Sequence, residues 1–439
     1  MVTSLSRRLE VSAFTGDDPL HRATIAATAV LLVAAIYGNS RTGFGFHGVQ
    51  LTYFRLYFPL YALLLAAYLF THRDALTPIP WPVAALLGFG GYVTVSAAWA
   101  TDTGMAISGL ARILPGLLIA GAIYWTTKRK QTVLLYLAVL VGLVACAEVV
   151  SVWEIVTGSH LSDVRLLQPH SQVFWANHPS LFGSRSSSAW FYNINGYAFF
   201  LVIGATPLVA VIAARDTRRS LRALAALGWL TAFLFVLNDR ARAGVGALLV
   251  GAVAIIALRA VRPRLAARTP SRVDAWVVTV VIALGTLTTV ALPALVPALF
   301  PPGSGLGGRW QLAQVAAEAL VQSNGLGTGV RNFAVAVRSS SIETAGSYAP
   351  HSWVIALVGS FGVVGTGLFV LAYGRLIYDV GAQFVTTADP LSLGLFGSMV
   401  AFSLAALAPS NVLYSSLVLY ALFGLTAATV YKVPASSGR

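Results

Sequence analysis

Along most of the chain, apolar residues come in unbroken runs separated by short polar stretches, and neither the period-2 alternation of a half-buried strand nor a narrow amphipathic stripe dominates. The runs fall at about 24–38, 51–70, 81–99, 105–126, 132–156, 189–213, 223–238, 243–259, 275–300, 352–374, 391–408 and 412–431. Each is close to the roughly 20 residues that a helix needs to cross a bilayer. The pattern predicts an all-α integral membrane protein with about 12 transmembrane helices. Two connections are long: 157–188, which carries His160, His170 and His178, and 301–350, which is rich in Gly and Ser. The chain therefore divides into an N-terminal transmembrane region (1–300), a loop (301–350) and a C-terminal transmembrane region (351–439). Within the loop, residues 309–322 read as an amphipathic helix lying along the membrane surface, with Trp310, Ala313, Ala317, Leu320 and Val321 on its apolar face.

Composition strengthens this picture. Hydrophobic residues make up 57% of the 439 and charged residues only 10%, with mean hydropathy +0.76, far more apolar than a soluble domain of this length requires. The single cysteine, Cys146, lies inside an apolar run, so neither a disulfide framework nor a Cys-based metal site is available.

Charge then sets an orientation. Most of the 29 Lys and Arg residues fall in one set of alternating connections, including Arg73, Lys128, Arg129, Lys130, Arg215, Arg218, Arg219, Arg222, Arg259, Arg262 and Arg264. The other set holds only Arg41, Arg165, Arg185, Arg240, Arg242, Arg309, Arg331 and Arg338, while Arg55 and Arg112 fall inside spans. The positive-inside rule makes the first set cytoplasmic together with both termini. The net charge of +14 is thereby explained by topology and anionic lipid, and no nucleic-acid partner is implied.

The outer arginines are oddly placed. In FLFVLNDRARAGVGALLVG (233–251), Arg242 opens a helix beside Asp239 and Arg240. A helix N-terminus already carries partial positive charge and unpaired N–H groups, so a cation there is unfavourable unless an anion such as phosphate is bound. Snorkelling to lipid headgroups, or pairing of an arginine with Asp239, is the alternative. Arg309 opens the loop helix in the same way, and the glycines at 325, 327 and 329 form a tight turn that positions Arg331 and Asn332. His351 stands at the start of the run 352–374, where a helix N-terminus favours the neutral imidazole that a general base requires. Together these residues suggest a phosphate or diphosphate site beside a base. The outer acids Asp102, Asp163, Asp239, Glu318 and Glu343 are scattered, which points to a reaction without a metal or other cofactor.

Four segments, taken in order, resemble the O-antigen ligase and polymerase family of bacterial membrane glycosyltransferases: FYNINGYAFF (191–200), NDRARAG (238–244), GRWQLAQVAAEAL with NGLGTGVRNF (308–333), and HSWVIALVGSFGVVG (351–365). The resemblance covers roughly residues 190 to 370 and extends to the rest through span number and topology. It implies a GT-C-type helical bundle in the bacterial inner membrane, acting on the extracytoplasmic side. The reaction would be transfer of a glycan from a polyprenyl diphosphate carrier to a hydroxyl of a glycan, lipid or protein acceptor. Arg242 and Arg309, with Arg240 and Arg331 near them, would hold the donor diphosphate, and His351 would activate the acceptor. Asn193, Asn195, Asn332 and Ser352 would be weaker substrate contacts. Ile194, Ser352 and Ser360 depart from the family pattern, where Pro, Asn and Glu are usual. A flippase for lipid-linked oligosaccharides, or a polysaccharide exporter, is the competing expectation.

Overall fold

The computed structural model describes residues 18–37, 41–46, 49–158, 180, 187–191, 194–267, 307–342, 344, 352–407 and 412–433. In chain order the helices are α1 (Pro19–Tyr37), α2 (Tyr53–Thr71), α3 (Trp81–Val95), α4 (Thr103–Thr126), α5 (Lys130–Thr157), α6 (Ile194–Ala213), α7 (Arg219–Asn238) and α8 (Arg242–Ala266). There follow α9 (Gly307–Gln322), α10 (Phe333–Ser339), α11 (Trp353–Thr387), α12 (Pro390–Ala405), α13 (Val412–Ser415) and α14 (Leu417–Tyr431). Among the described residues, nine helices are long and apolar enough to cross a membrane: α1 to α8, with the 3₁₀ turn Ser96–Trp99 prolonging α3, and α11. Two shorter apolar helices, α12 and α14, accompany them. Every predicted span is met by one of these helices except 275–300, which lies outside the described residues. The chain is thus a helical, multi-pass membrane protein.

Three boundaries differ from the sequence expectation. A short antiparallel hairpin, β1 (Arg41–Phe46) with β2 (Val49–Thr52), precedes α2 in an otherwise all-helical bundle. RTGFGF alternates aromatic or β-branched residues with glycine, a strand pattern too short to register beside long apolar runs. Helix α8 continues past 259 to Ala266. Helix α11 runs 13 residues beyond the predicted end at 374, prolonged by an i,i+4 pair between Arg375 and Asp379 at 2.8 Å and ended by Ala388 in the left-handed conformation.

Local chemistry marks other ends. Asp102 caps α4 by accepting from the Met105 N–H at 2.8 Å, and Asp389 caps α12, which begins with Pro390. Helix α6 is central, with 72% of its most apolar stretch buried by protein, whereas α2 is peripheral at 17%, leaving Leu56, Leu60 and Leu63 uncovered. One continuous core joins helices from both halves of the chain. Close approach depends on small residues, as between α4 and α14, where a side chain at Gly424 would stand 2.7 Å from the Ala120 carbonyl oxygen.

Contacts between helix ends sort the bundle into two faces. At one, Trp190 packs on Tyr37, Glu154 and Asp239 receive the segment 187–189, Asn332 binds Asp102, and the Trp353 N–H donates to the Ala406 carbonyl. At the other, His72 pairs with Asp18 at 2.7 Å, Lys130 with Asp389 at 2.8 Å, and Arg262 donates to the Val385 carbonyl at 3.1 Å. The second face carries the basic connections on which the charge reading rests. The first carries the candidate site.

Candidate functional site

The site is organised by a break in α11. Gly362 has φ 58° and ψ −155°, a conformation that interrupts the helical hydrogen-bond ladder. The interruption frees carbonyls before it and an N–H after it. The glycine turn after α9 supplies their partners: Thr328 N–H donates to Gly359 O, Gly329 N–H to Ser360 O, and Val363 N–H to Gly325 O, each at 2.9 Å. Positive φ at Gly325 (87°), Gly327 (78°) and Gly329 (87°) gives the turn its path, and a Cβ on Gly327 would lie 2.5 Å from the Gly362 nitrogen. Trp99 Nε1 donates to the Gly327 carbonyl at 3.2 Å and Tyr92 Oη to the Leu326 carbonyl at 3.0 Å. The turn positions Arg331 and Asn332, as the sequence suggests, by acting as a strut against the broken helix.

Asn332 is fully engaged by this framework. Its Oδ1 accepts from the Asp102 N–H at 2.6 Å, and its Nδ2 donates to the carbonyls of Asp102 at 3.1 Å and Val330 at 3.0 Å. Buried and committed to backbone, it anchors the turn. Arg331 precedes it at φ 58°, its N–H donating to the Tyr414 hydroxyl at 2.9 Å and its guanidinium to the Ser108 hydroxyl on α4.

The 238–242 hairpin resolves the pairing question raised by its charges. Asp239 is 1% exposed, and its carboxylate accepts from the Ser187 N–H at 2.9 Å, from the Ser187 hydroxyl and from Asn238 Nδ2. Burial pushes its pKa up to about 7, against the lowering effect of the Ser187 N–H, with the nearby Glu154 charge adding to the rise. Arg240, at φ 53°, turns away and donates to the Ser180 carbonyl at 3.3 Å, so the suggested Arg240–Asp239 pair does not form. Arg242 is the first residue of α8 and exposed; its backbone N–H donates to the Arg240 carbonyl at 2.9 Å, but its guanidinium has no hydrogen-bond or ionic partner among the described residues, and Ala241, the N-cap, has no polar side chain to satisfy the first turn.

Arg309 lies in the first turn of α9, half-buried and also without a partner among the described residues; burial alone, with no neighbouring charge, lowers its pKa. The face that α9 docks on the protein is not the one predicted to lie on the membrane. Leu312, Val315, Ala316 and Ala319 are buried, the first three in a cluster with Phe333, Val337 and Ile355, whereas Val321 is 78% exposed and Ala317 is exposed. The apolar arc is wide enough for two uses. The broken helix α11 and α10 take one half, and the Val321 half stays uncovered.

Of the remaining residues, Ser352 is the N-cap of α11, buried, with an Oγ that finds no partner among the described residues. Asn195 sits half-buried in the first turn of α6. His351 and Asn193 lie outside the described residues, as do His160, His170 and His178. Among the described residues, no three His, Cys, Asp or Glu side chains are grouped to hold a metal ion.

Glu154 carries no signal in the sequence, and Arg112 shows there only as a cation within a span. Glu154, placed at the end of a span, accepts the N–H groups of Ser188 at 3.0 Å and Ala189 at 3.1 Å, holding the chain that leads into α6. Arg112 on α4 lies near enough to Arg331 and Arg55 to feel both charges. The i,i+4 spacing of Ser108 and Arg112 was the available signal, but it carries meaning only once Arg331 is known to dock on Ser108. No protein-family model matches this chain, and no curated protein matches it either.

Proposed function

We propose that the protein is a membrane glycosyltransferase of the O-antigen ligase and polymerase type, with about 12 spans in a GT-C-like bundle. It would take a glycan from a polyprenyl diphosphate carrier and pass it, without a metal, to an acceptor hydroxyl on the extracytoplasmic side of a bacterial inner membrane. The observation that carries this reading is the pair of guanidiniums, Arg242 and Arg309, each in the first turn of a helix and each without a partner among the described residues. A diphosphate reverses the unfavourable sign at both ends, since it accepts from the helix N–H groups and from the guanidinium together. In the transition state, charge accumulates on the departing diphosphate, so cations aimed there lower the barrier. His351, which precedes Ser352 in the chain, is the proposed base toward the acceptor; the Ser352 hydroxyl has no partner among the described residues.

A second reading, export or flipping of a lipid-linked glycan, is favoured by ionisable groups within spans. Arg112 is exposed partway along α4, and Glu148 is buried in α5 with an oxygen that has no partner among the described residues. Purified protein in detergent, given a polyprenyl-diphosphate glycan and an acceptor extract, separates the two. Consumption of the donor with release of polyprenyl diphosphate is the expected result. An unchanged donor, together with movement of that donor across proteoliposome membranes, would replace the transferase with the transporter.

A further inference from the structure

The cluster of Arg331, Arg112 and Arg55 is distinct from the helix-end arginines: the Arg331 guanidinium docks on Ser108 of α4, the helix that carries Arg112, and the Arg331 and Arg55 charges both act on Arg112. Its geometry is enforced. The Arg331 guanidinium donates to Ser108, and Arg112 stands one turn further along the same face of α4, so the two cations are held side by side. Backbone strain is spent on this placement: Arg331 adopts φ 58°, fixed by the Tyr414 hydroxyl, over Gly109, where any Cβ would fall 2.9 Å from that of Arg331. Neither Arg112 nor Arg331 has a carboxylate partner among the described residues. Gathering like charges is costly, and exposing one partway along a span is costlier, unless an anion occupies the space between them.

The surroundings identify that anion. On α4, Arg112 is exposed partway along the span, and on another face of the helix Ile107 is 62% exposed and Leu114 is 37% exposed. On α2, following Arg55, the uncovered residues are Leu56, Leu60 and Leu63. Arg112 is thus open at membrane depth on a helix that also presents apolar side chains to lipid, as α2 does beside Arg55, which suits a molecule with a phosphate head and hydrocarbon chains better than a soluble phosphate. We propose that Arg112 and Arg331, with Ser108 and Arg55 beside them, form a binding site for the phosphate headgroup of a membrane lipid that reaches it from the bilayer between α2 and α4. Arg331 therefore belongs to this second site rather than to the one at Arg242 and Arg309. The proposal does not depend on transferase activity.

The test uses the intact protein in nanodiscs with two photoreactive probes sharing the same acyl chains, a phosphatidic acid and the diacylglycerol that lacks its phosphate. Cross-linked peptides are mapped by mass spectrometry. Phosphatidic acid is expected to label α2 and α4 near Leu56, Leu60, Ile107 and Leu114 in clear excess over diacylglycerol. Arg112→Gln should reduce that excess about tenfold, as loss of a charge-assisted contact implies, with Arg112→Lys in between. Ser108→Ala, a milder change that frees the Arg331 guanidinium, should reduce it too, and covers the case in which Arg112→Gln folds poorly. Equal labelling by both probes, or wild-type labelling in folded Arg112→Gln protein, overturns the site. Displacement of the lipid by an equal concentration of inorganic pyrophosphate overturns its assignment to lipid.

Discussion

Arg240, Arg242 and Arg309 look alike in the sequence and differ in the structure. The Arg240 guanidinium already has a carbonyl partner, whereas those of Arg242 and Arg309 have none among the described residues. A guanidinium presents two parallel donors to adjacent phosphate oxygens and an ammonium does not. Arg242→Lys and Arg309→Lys are therefore expected to lose most donor turnover at normal expression, with Arg240→Lys much less affected. His351→Ala should lower turnover by the roughly 10²- to 10⁴-fold typical of general-base loss while donor affinity is kept. Steady-state kinetics and donor binding on the same preparations check both statements; wild-type turnover in Arg242→Lys protein would remove the diphosphate contact. Asp239 offers a separate test. Its pKa rises on folding to about 7 from the usual carboxylate range near 4, so its contribution to stability is complete below about pH 4 and is lost as pH rises through 7. The loss amounts to a few kcal/mol, since a tenfold change in proton affinity between the folded and unfolded chain is worth about 1.4 kcal/mol. An amide in place of the carboxylate keeps an acceptor for Ser187 and carries no charge. Thermal unfolding in detergent should therefore find Asp239→Asn more stable than wild type at pH 8, with the difference closing toward pH 5.

Among elements, the junction of the glycine turn with broken α11 fixes the segment that carries Arg331 and Asn332. Three backbone hydrogen bonds join them, and the turn in turn orients Arg331 and Asn332. At Gly362 a side chain would meet the Gly325 carbonyl oxygen and stand 2.5 Å from the Leu326 carbonyl carbon, at a backbone conformation that L residues rarely adopt. The strain alone costs about 1–3 kcal/mol, before any clash. Gly367, five residues along the same helix, has open space around it. Gly362→Ala should thus lower the unfolding temperature and the yield of folded protein, whereas Gly367→Ala should match or exceed wild type, since alanine is the better helix former by up to about 1 kcal/mol. Equal behaviour of the two variants would mean that the break in α11 is not a fixed feature.

For the whole molecule, the two faces defined by end-to-end contacts coincide with the two classes of connection defined by charge. The second of these predicts the orientation in the membrane. With Cys146 replaced, single cysteines at 165, 240 and 345 are expected to react with an impermeant thiol reagent applied outside, and those at 129, 218 and 264 only after permeabilisation. Cys146 is exposed on the bundle surface, so its replacement disturbs no core packing. Labelling of residue 240 only after permeabilisation would place Arg242 on the cytoplasmic side and end the extracytoplasmic reading.

Span positions, their helical state and the contrast between charged and uncharged connections were legible in the sequence, because in a bilayer each backbone must satisfy its own hydrogen bonds and length and apolarity then fix the element locally. Arg242 at the first position of α8 was legible for the same reason, as was the glycine turn. The hairpin before α2 was not, since a few alternating residues are lost among long apolar runs. Nor was the docked face of α9, because a wide apolar arc does not say which half meets protein and which is left uncovered. Partner choice belonged wholly to tertiary structure. Asp239 turned to Ser187 rather than Arg240, Asn332 was spent on Asp102, and Arg331 was carried 223 residues back along the chain to Ser108 and Arg112. A side chain's charge is written in the sequence, but its energy depends on what stands within a few ångströms, and only the packing of distant helices decides that.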